Sequence, residues 1–295
     1  MSSTFHLQCV VYVYRRSANF YDSIFQYSSQ PVGYYEVEMF VVLKRRNLLT
    51  YGFVIVMIVA LVATISVSSV SGVFFGKTTR KIPVYSVEVP EDDKVIALTF
   101  DAAWGADKTL KIIEILKEYD AKATFFLVGF WIDKYPDEVK AIAEAGFDIG
   151  NHSENHLNMP RLSQDKIVDE IISVNKKVEN LTGKTPVYFR APFGDYDNGL
   201  MTCLEDVGMV GVQWSIDSLD WKGLGVKEIS KRILPKAKSG DIVLFHNNSD
   251  HVVDVLPVIL EGLKQKGFRF VTLSEMVYQD NYTVDSQGVQ RKNNQ

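Results

Sequence analysis

Two hydrophobic patterns divide the chain. From Asn47 to Gly76 no charged residue occurs, and Gly52 to Val67 is almost wholly aliphatic. A helix needs about 20 mostly apolar residues to cross the hydrocarbon core of a bilayer, whereas a buried helix of a soluble domain seldom lacks a polar face over such a length. The run predicts a transmembrane or signal-anchor helix over 48–76. Farther on, short β-branched and aromatic runs alternate with stretches of helical period. The strand-like runs are Val95–Asp101, Ala123–Gly129, Asp148–His152, Tyr188–Pro192, Gly208–Asp217, Asp241–His246 and Arg269–Leu273. Among the helical stretches, one has Ser163 as a candidate N-cap, an apolar stripe of Ile167, Ile171, Val174, Val178 and Leu181, and Gly183 as its end. A later one carries Val252, Leu256, Ile259, Leu260 and Leu263 and stops at Gly267. Such alternation predicts an α/β fold with a parallel sheet, closed like a barrel or doubly wound.

Charge refines the first pattern. Lys44, Arg45 and Arg46 stand just before the apolar run, which by the positive-inside tendency keeps 1–47 cytoplasmic and exports the C-terminal part of the chain. The expected location is the cell membrane, single-pass with the C-terminal domain extracytoplasmic. Ser66, Ser68, Ser69, Ser71 and Gly72 suit a cleavage site, and cleavage would make the protein secreted. Residues 1–38 are aromatic-rich without a clear period, and Met39 opens a more natural signal n-region, so Met39 is a candidate true start. Residues 77–84 read as a linker and 278–295 as a polar tail.

Composition excludes some classes. With 32 Lys+Arg against 36 Asp+Glu the net charge is −4, which excludes a nucleic-acid binder relying on bulk positive charge. No protein partner is predicted. Two cysteines, Cys9 and Cys203, are too few for a thiolate zinc site or a disulfide framework. Any metal must use His or carboxylate.

Polar residues gather at the carboxyl ends of the expected strands, where parallel α/β folds place their chemistry. Asp101 ends the first strand, His152 and His156 follow the third, Arg190 lies on the fourth, Asp217 and Asp220 follow the fifth, and His246 ends the sixth. The i, i+4 spacing of His152 and His156 would put both imidazoles on one face of a helical turn, able to share a metal. Asp101, after an apolar strand, suits a base, with Arg190 to orient it. His246 suits a general acid, with Asp220 or Asp217 fixing its tautomer. Trp104 and Trp221 offer flat faces to sugar rings.

Thr99-Phe100-Asp101, Asn151-His152-Ser153 with His156, Arg190-Ala191-Pro192-Phe193-Gly194, Asp217-Ser218-Leu219-Asp220-Trp221 and Leu244-Phe245-His246, in this order, resemble the five motifs of the polysaccharide deacetylase family (NodB homology domain, carbohydrate esterase family 4). The resemblance covers about residues 85–277 and is closest to the sporulation deacetylases of the PdaB type. It implies a distorted (β/α) barrel of about seven parallel strands and hydrolysis of N-acetyl groups from a glycan such as peptidoglycan or chitin. It also implies Asp101 as base, Arg190 as its positioner, and His246 as acid oriented by Asp220. His152 and His156 become ligands of a divalent metal, zinc first, with cobalt or manganese as alternatives. The Phe193 amide would face the oxyanion, and Trp221 and Leu244 would line the acetyl pocket.

One position departs from the pattern. The family's first motif carries a second Asp as third metal ligand, and here that position is Ala102. Catalytic zinc sites ordinarily use three protein ligands, so a weak metal site is expected, with Asp101 or Glu154 as possible helpers. Two function classes follow: an amide hydrolase acting on N-acetylated cell-wall glycan, and a weakened or inactive glycan-binding protein of the same fold.

Overall fold

The structure, a computed structural model, describes residues 53–59, 80–90 and 92–293. The chain divides into two units, Met1–Thr78 and Thr79–Gln295. In the first, residues 53–59 are helical, with their apolar side chains exposed. The single-pass membrane expectation is corrected here: among the described residues no helix is long and apolar enough to cross a membrane. At about 1.5 Å per residue the described helix spans about a third of a ~30 Å hydrocarbon core. The rest of the expected 48–76 segment, and the candidate start at Met39, lie outside the described residues.

The second unit is built on β-strands, parallel throughout its main sheet and with β10 antiparallel to β11 in a smaller one. In chain order they are β1 (Ser86–Val87), β2 (Val95–Ala102), β3 (Ala123–Leu127), β4 (Asp148–Asn151), β5 (Tyr188–Phe189), β6 (Val210–Gly211), β7 (Ile216–Asp217), β8 (Ile242–His246), β9 (Arg269–Phe270), β10 (Tyr282–Val284) and β11 (Val289–Lys292). The main sheet runs β6-β5-β4-β3-β2-β8-β7, with β9 also pairing β2, and it curls into a half-barrel. Its pairings are all parallel. The expected strand Gly208–Asp217 is corrected: it splits into β6 and β7, which lie at opposite edges of the sheet. Residues 212–215 cross between those edges, Val212 N–H donating to Phe189 O and Ser215 N–H to Ile242 O. The gap between the two edges is therefore spanned by this chain crossing and by residues 84–87, where Val84 bridges Val212 and Ser86 bridges Asp241.

Alternation along β2 creates the site. Its eight residues are all buried, as expected for a central parallel strand covered on both faces. Ile96, Leu98, Phe100 and Ala102 join the large layer that also holds Ile112, Leu116 and Leu256 from the covering helices. Val95 and Ala97 face inward with Phe126, Tyr188 and Ile242. Farther along the same inward row come Thr99, whose hydroxyl donates to Val243 O at 2.7 Å, and then Asp101. The inner face thus passes from apolar to polar toward the carboxyl end. On the outer face Phe100 stacks between Phe125 (4.9 Å) and Phe245 (5.5 Å), contacts worth about 0.5–1.5 kcal/mol each beyond area burial.

Two other expectations change. Arg269–Leu273 yields only the short β9, after which Thr272 and Glu275 form a capping box for the helix Leu273–Met276, so the backbone turns helical where a strand was expected. The tail expected at 278–295 contributes β10 and β11, which form a separate sheet with β1 in the order β1-β11-β10. By contrast Gln164–Thr182 is helical from N-cap Ser163 to left-handed Gly183 (φ 72°), as its stripe predicts.

Candidate active site

A cavity of about 600 Å³ opens at the carboxyl ends of the strands. Nine of the ten residues expected at the site line it: Asp101, Trp104, His152, His156, Phe193, Asp220, Trp221, Leu244 and His246. Arg190, the tenth, is wholly buried behind them. Its Nη1 donates to Asp101 Oδ1 at 2.7 Å and its Nη2 to Gln213 O at 3.0 Å, and the guanidinium lies 4.1 Å from the Phe126 ring centroid. Burial alone would raise the Asp101 pKa; the Arg190 charge, with smaller contributions from His152, His246 and the Arg190 hydrogen bond, outweighs it and holds the carboxyl below its ordinary value. Asp101 is thus an anion fixed by a partner that does not titrate in proteins.

Asp101 and His246 are register partners on β2 and β8, so their Cα atoms sit one strand spacing apart, about 4.8 Å. Asp220, almost fully buried, grips His246 twice: Oδ2 accepts from the backbone N–H at 2.9 Å and Oδ1 pairs with ring Nδ1 at 2.8 Å. A carboxylate only accepts, so Nδ1 carries the proton and Nε2 faces outward. Burial lowers the His246 pKa, but the hydrogen bond and charge of Asp220, with Asp101 and Asp217 adding, raise it above its usual value. Asp217 does not hold this ring; its Oδ1 accepts from the Leu219 amide.

The two other imidazoles meet without a helix, which corrects that expectation. Residues 152–158 form a loop in which Ser153 and His156 adopt left-handed φ of 66° and 53°, and the ring centroids come to 5.0 Å. Arg190 O accepts from His152 Nδ1 at 2.7 Å, which leaves the Nε2 lone pair free, 3.5 Å from Asp101 Oδ2. Burial is the main cause that lowers both pKa values, His156 to about 4 with further lowering by His152. Both rings are therefore neutral near pH 7, the form that binds metal. In number the donors fall short: no group of three or more His, Cys, Asp or Glu able to hold a metal occurs among the described residues. Ala102 is wholly buried in the helix-facing layer and does not line the cavity. Glu154 does not help either. It does not line the cavity; its Oε1 pairs with Lys177, and its Oε2, buried without a partner, packs on Gly129, where an added Cβ would lie 2.1 Å away.

Sequence reasoning missed Trp214, Asn248, Ser249 and Asp250, all of which line the cavity. The signal for the last three was the polar run directly after the strand-end His246. Exposed aromatics flank the opening: Trp104 lies 6.4 Å from Phe130 and 5.2 Å from His156, and His156 lies 4.7 Å from Phe193.

Comparison with known proteins gives a consistent picture. The family model described as polysaccharide deacetylase matches residues 88–212. The chain is 38% identical over 195 residues to a peptidoglycan-N-acetylglucosamine deacetylase of Bacillus cereus, covering 64% of this chain and 91% of that one. It is 30% identical to the peptidoglycan-N-acetylmuramic acid deacetylase PdaA of Bacillus subtilis, covering 63% of this chain and 73% of that one. Among solved structures, a CE4 family pseudoenzyme from Bacillus anthracis matches with a TM-score of 0.63 at 29% identity, over 72% of this chain and 73% of that one.

Proposed function

Since this chain belongs to the polysaccharide deacetylase family, we propose that it hydrolyses N-acetyl groups of cell-wall glycan, peptidoglycan or a similar polymer, releasing acetate and leaving an amine on the sugar. The observation that carries this reading is the register pairing of Asp101 with His246: one is held as an anion and the other favoured as a cation, at a single cavity. Asp101 takes a proton from the water that attacks the acetamide carbonyl carbon. The Phe193 amide is the assigned donor to the resulting oxyanion. His246 Nε2–H gives its proton to the nitrogen as the C–N bond breaks, so the amine leaves neutral. Arg190 orients the base, Asp220 orients the acid, and Trp104, Trp221 and Leu244 contact the sugar and its acetyl group.

His152 and His156 are the residues that would hold a divalent metal, zinc foremost, cobalt or manganese otherwise. Such an ion supplies carbonyl polarisation when bound. With two imidazoles and no third ligand its affinity is expected to be low. The catalytic domain, expected at 85–277 after a linker at 77–84, lies within the unit Thr79–Gln295, which also takes in Val84, bridged to Val212, and the β10–β11 pair.

Ala102, together with the similarity to a CE4 family pseudoenzyme, supports a second reading as a glycan-binding protein of low or no activity. Acetate release from N-acetylglucosamine oligomers and muropeptides, with and without added Zn²⁺ or Co²⁺, separates the two. Release that disappears in Asp101→Asn supports the hydrolase. Binding of the same oligomers without acetate release under any metal condition supports the binding protein.

A further inference from the structure

One buried carboxylate has no part in the mechanism above. The helix Gln164–Thr182 turns Ile167, Ile171, Val174 and Val178 to the core, and two polar residues, Glu170 and Asn175, interrupt that apolar face. Both reach the segment that carries the imidazoles. At its near end Asn151 Nδ2 donates to Asn175 Oδ1 and to Ile171 O, each at 2.8 Å, and Asn151 Oδ1 accepts from the Ser153 N–H at 2.9 Å. Glu170, only 1% exposed, takes the far end. Its Oε2 accepts from the Asn155 backbone N–H at 2.8 Å and its Oε1 from Asn155 Nδ2 at 2.7 Å. Lys166 Nζ approaches Oε1 only to 3.7 Å, from a side chain about half exposed. The two N–H donors, more than the ammonium, orient this carboxylate.

The loop between these anchors needs such support. Ser153 and His156 hold positive φ without being glycine, a conformation that persists only where the surroundings over-determine it. His156 follows Asn155 directly, so the direction in which the Asn155 amide is held sets where the His156 ring goes. Trp104 and Phe193 also touch that ring, but both are exposed and act on the ring, not on the backbone that carries it. An apolar residue at 170 could fill the same space, and exchanging buried charge for apolar groups is often neutral for stability. What a carboxylate adds is direction, through two charge-assisted hydrogen bonds. We propose that Glu170 is a positioning residue for the imidazole pair: acting through Asn155, it keeps His156 turned toward His152, with ring centroids 5.0 Å apart and both rings on the cavity. This deepens the hydrolase reading and rests on it for the use made of the two rings.

The test reads the two rings directly. In metal-free wild-type protein, NMR should show nuclear Overhauser contacts between the ring protons of His152 and His156. Asn155→Asp, at an exposed position that the fold tolerates, sets a like charge against Glu170 and should abolish them. Adding Glu170→Gln gives the new carboxylate a donor and should restore them. Zn²⁺ titrated by calorimetry should bind at least about tenfold more weakly to Asn155→Asp, the usual cost of losing a partner that orients a metal ligand, and within about threefold of wild type in the double variant. A Glu170 that only stabilises the fold would lower the unfolding temperature of Asn155→Asp while ring contacts and Zn²⁺ affinity stay as in wild type, and that result overturns the proposal. So does a double variant that recovers stability without the ring contacts, or a wild-type protein that lacks them. If the ring contacts respond as expected while no glycan releases acetate, the hydrolase reading fails and the positioning role stands.

Discussion

Asp101 and Asp220 are both buried carboxylates at the same cavity, each paired with a cation, yet they end in opposite roles. Asp101 is held by Arg190, wholly enclosed and unable to give up its proton. Asp220 is held against His246, whose side chain is 26% exposed and does titrate. A pair whose cation cannot titrate fixes its carboxylate as an anion and makes a base. A pair whose cation can titrate makes a poised acid. Partner chemistry, more than burial, separates the two halves of the site.

The largest effect should come from breaking the fixed pair. Arg190→Leu leaves a buried carboxylate without its cation, a change that costs about 3–5 kcal/mol of stability, and turnover should fall with it. Adding Asp101→Leu should recover much of the stability, since removing both charges is often close to neutral. Denaturant unfolding of wild type, both single variants and the double variant tests this. A double variant no more stable than Arg190→Leu would mean that the pair is not the unit.

The titrating pair should respond more in activity than in stability. His246→Ala should lower turnover roughly 10²–10⁴-fold, the usual contribution of a positioned acid or base, with fold and metal content nearly intact. A protein that melts early yet keeps its specific activity while folded would sink the acid assignment. Asp220→Asn, milder, should shift the alkaline limb of the pH profile downward, because the imidazolium loses the charge that raises its pKa.

The smallest effects are protonation differences, read by NMR on metal-free protein. His156 should titrate near 4, and His246 above its usual 6.5. Stability should vary with pH in opposite senses at the two pairs. The His246 contribution is complete below pH 6.5 and is lost as pH rises through the higher folded value. The Asp101 contribution is present above its usual 3.8 and is lost as pH falls through the lower folded value. Coincident midpoints for His156 and His246 would erase the contrast between the two sides.

How much of this was legible beforehand depended on how local the cause was. The strand that carries Asp101, the strand ending in His246 and the helix from Ser163 to Gly183 follow from apolar β-branched and aromatic runs, helical period and capping, which neighbouring residues write directly. The split of 208–217 was not legible. Val210 and Ile216 have the same apolar character, and only their partners, β5 and β8, send them to opposite edges. The imidazole pair was found by spacing but assigned the wrong local geometry, since the left-handed turns at Ser153 and His156 are supported by long-range contacts such as Arg190 O on His152. Ser153 and His156 themselves carry no glycine-like signal. Asp250 escaped for a related reason: an exposed loop aspartate reads as ordinary surface until the fold brings it to the rim.

The crossing at 212–215 has a mechanical consequence. A fully closed barrel is stiff in every direction because widening it anywhere breaks a ladder of hydrogen bonds. Here the wall that carries Arg190 and the wall that carries Asp220 are joined through the central strands on one side and, on the other, by the crossing residues and the bridges Val84–Val212 and Ser86–Asp241. Asp101 and His246 sit on adjacent strands paired along a five-residue ladder, whereas the seam has only isolated bridges in its place. The reacting groups therefore sit where the sheet is most extensively paired, and the two edges beside the seam where it is least paired.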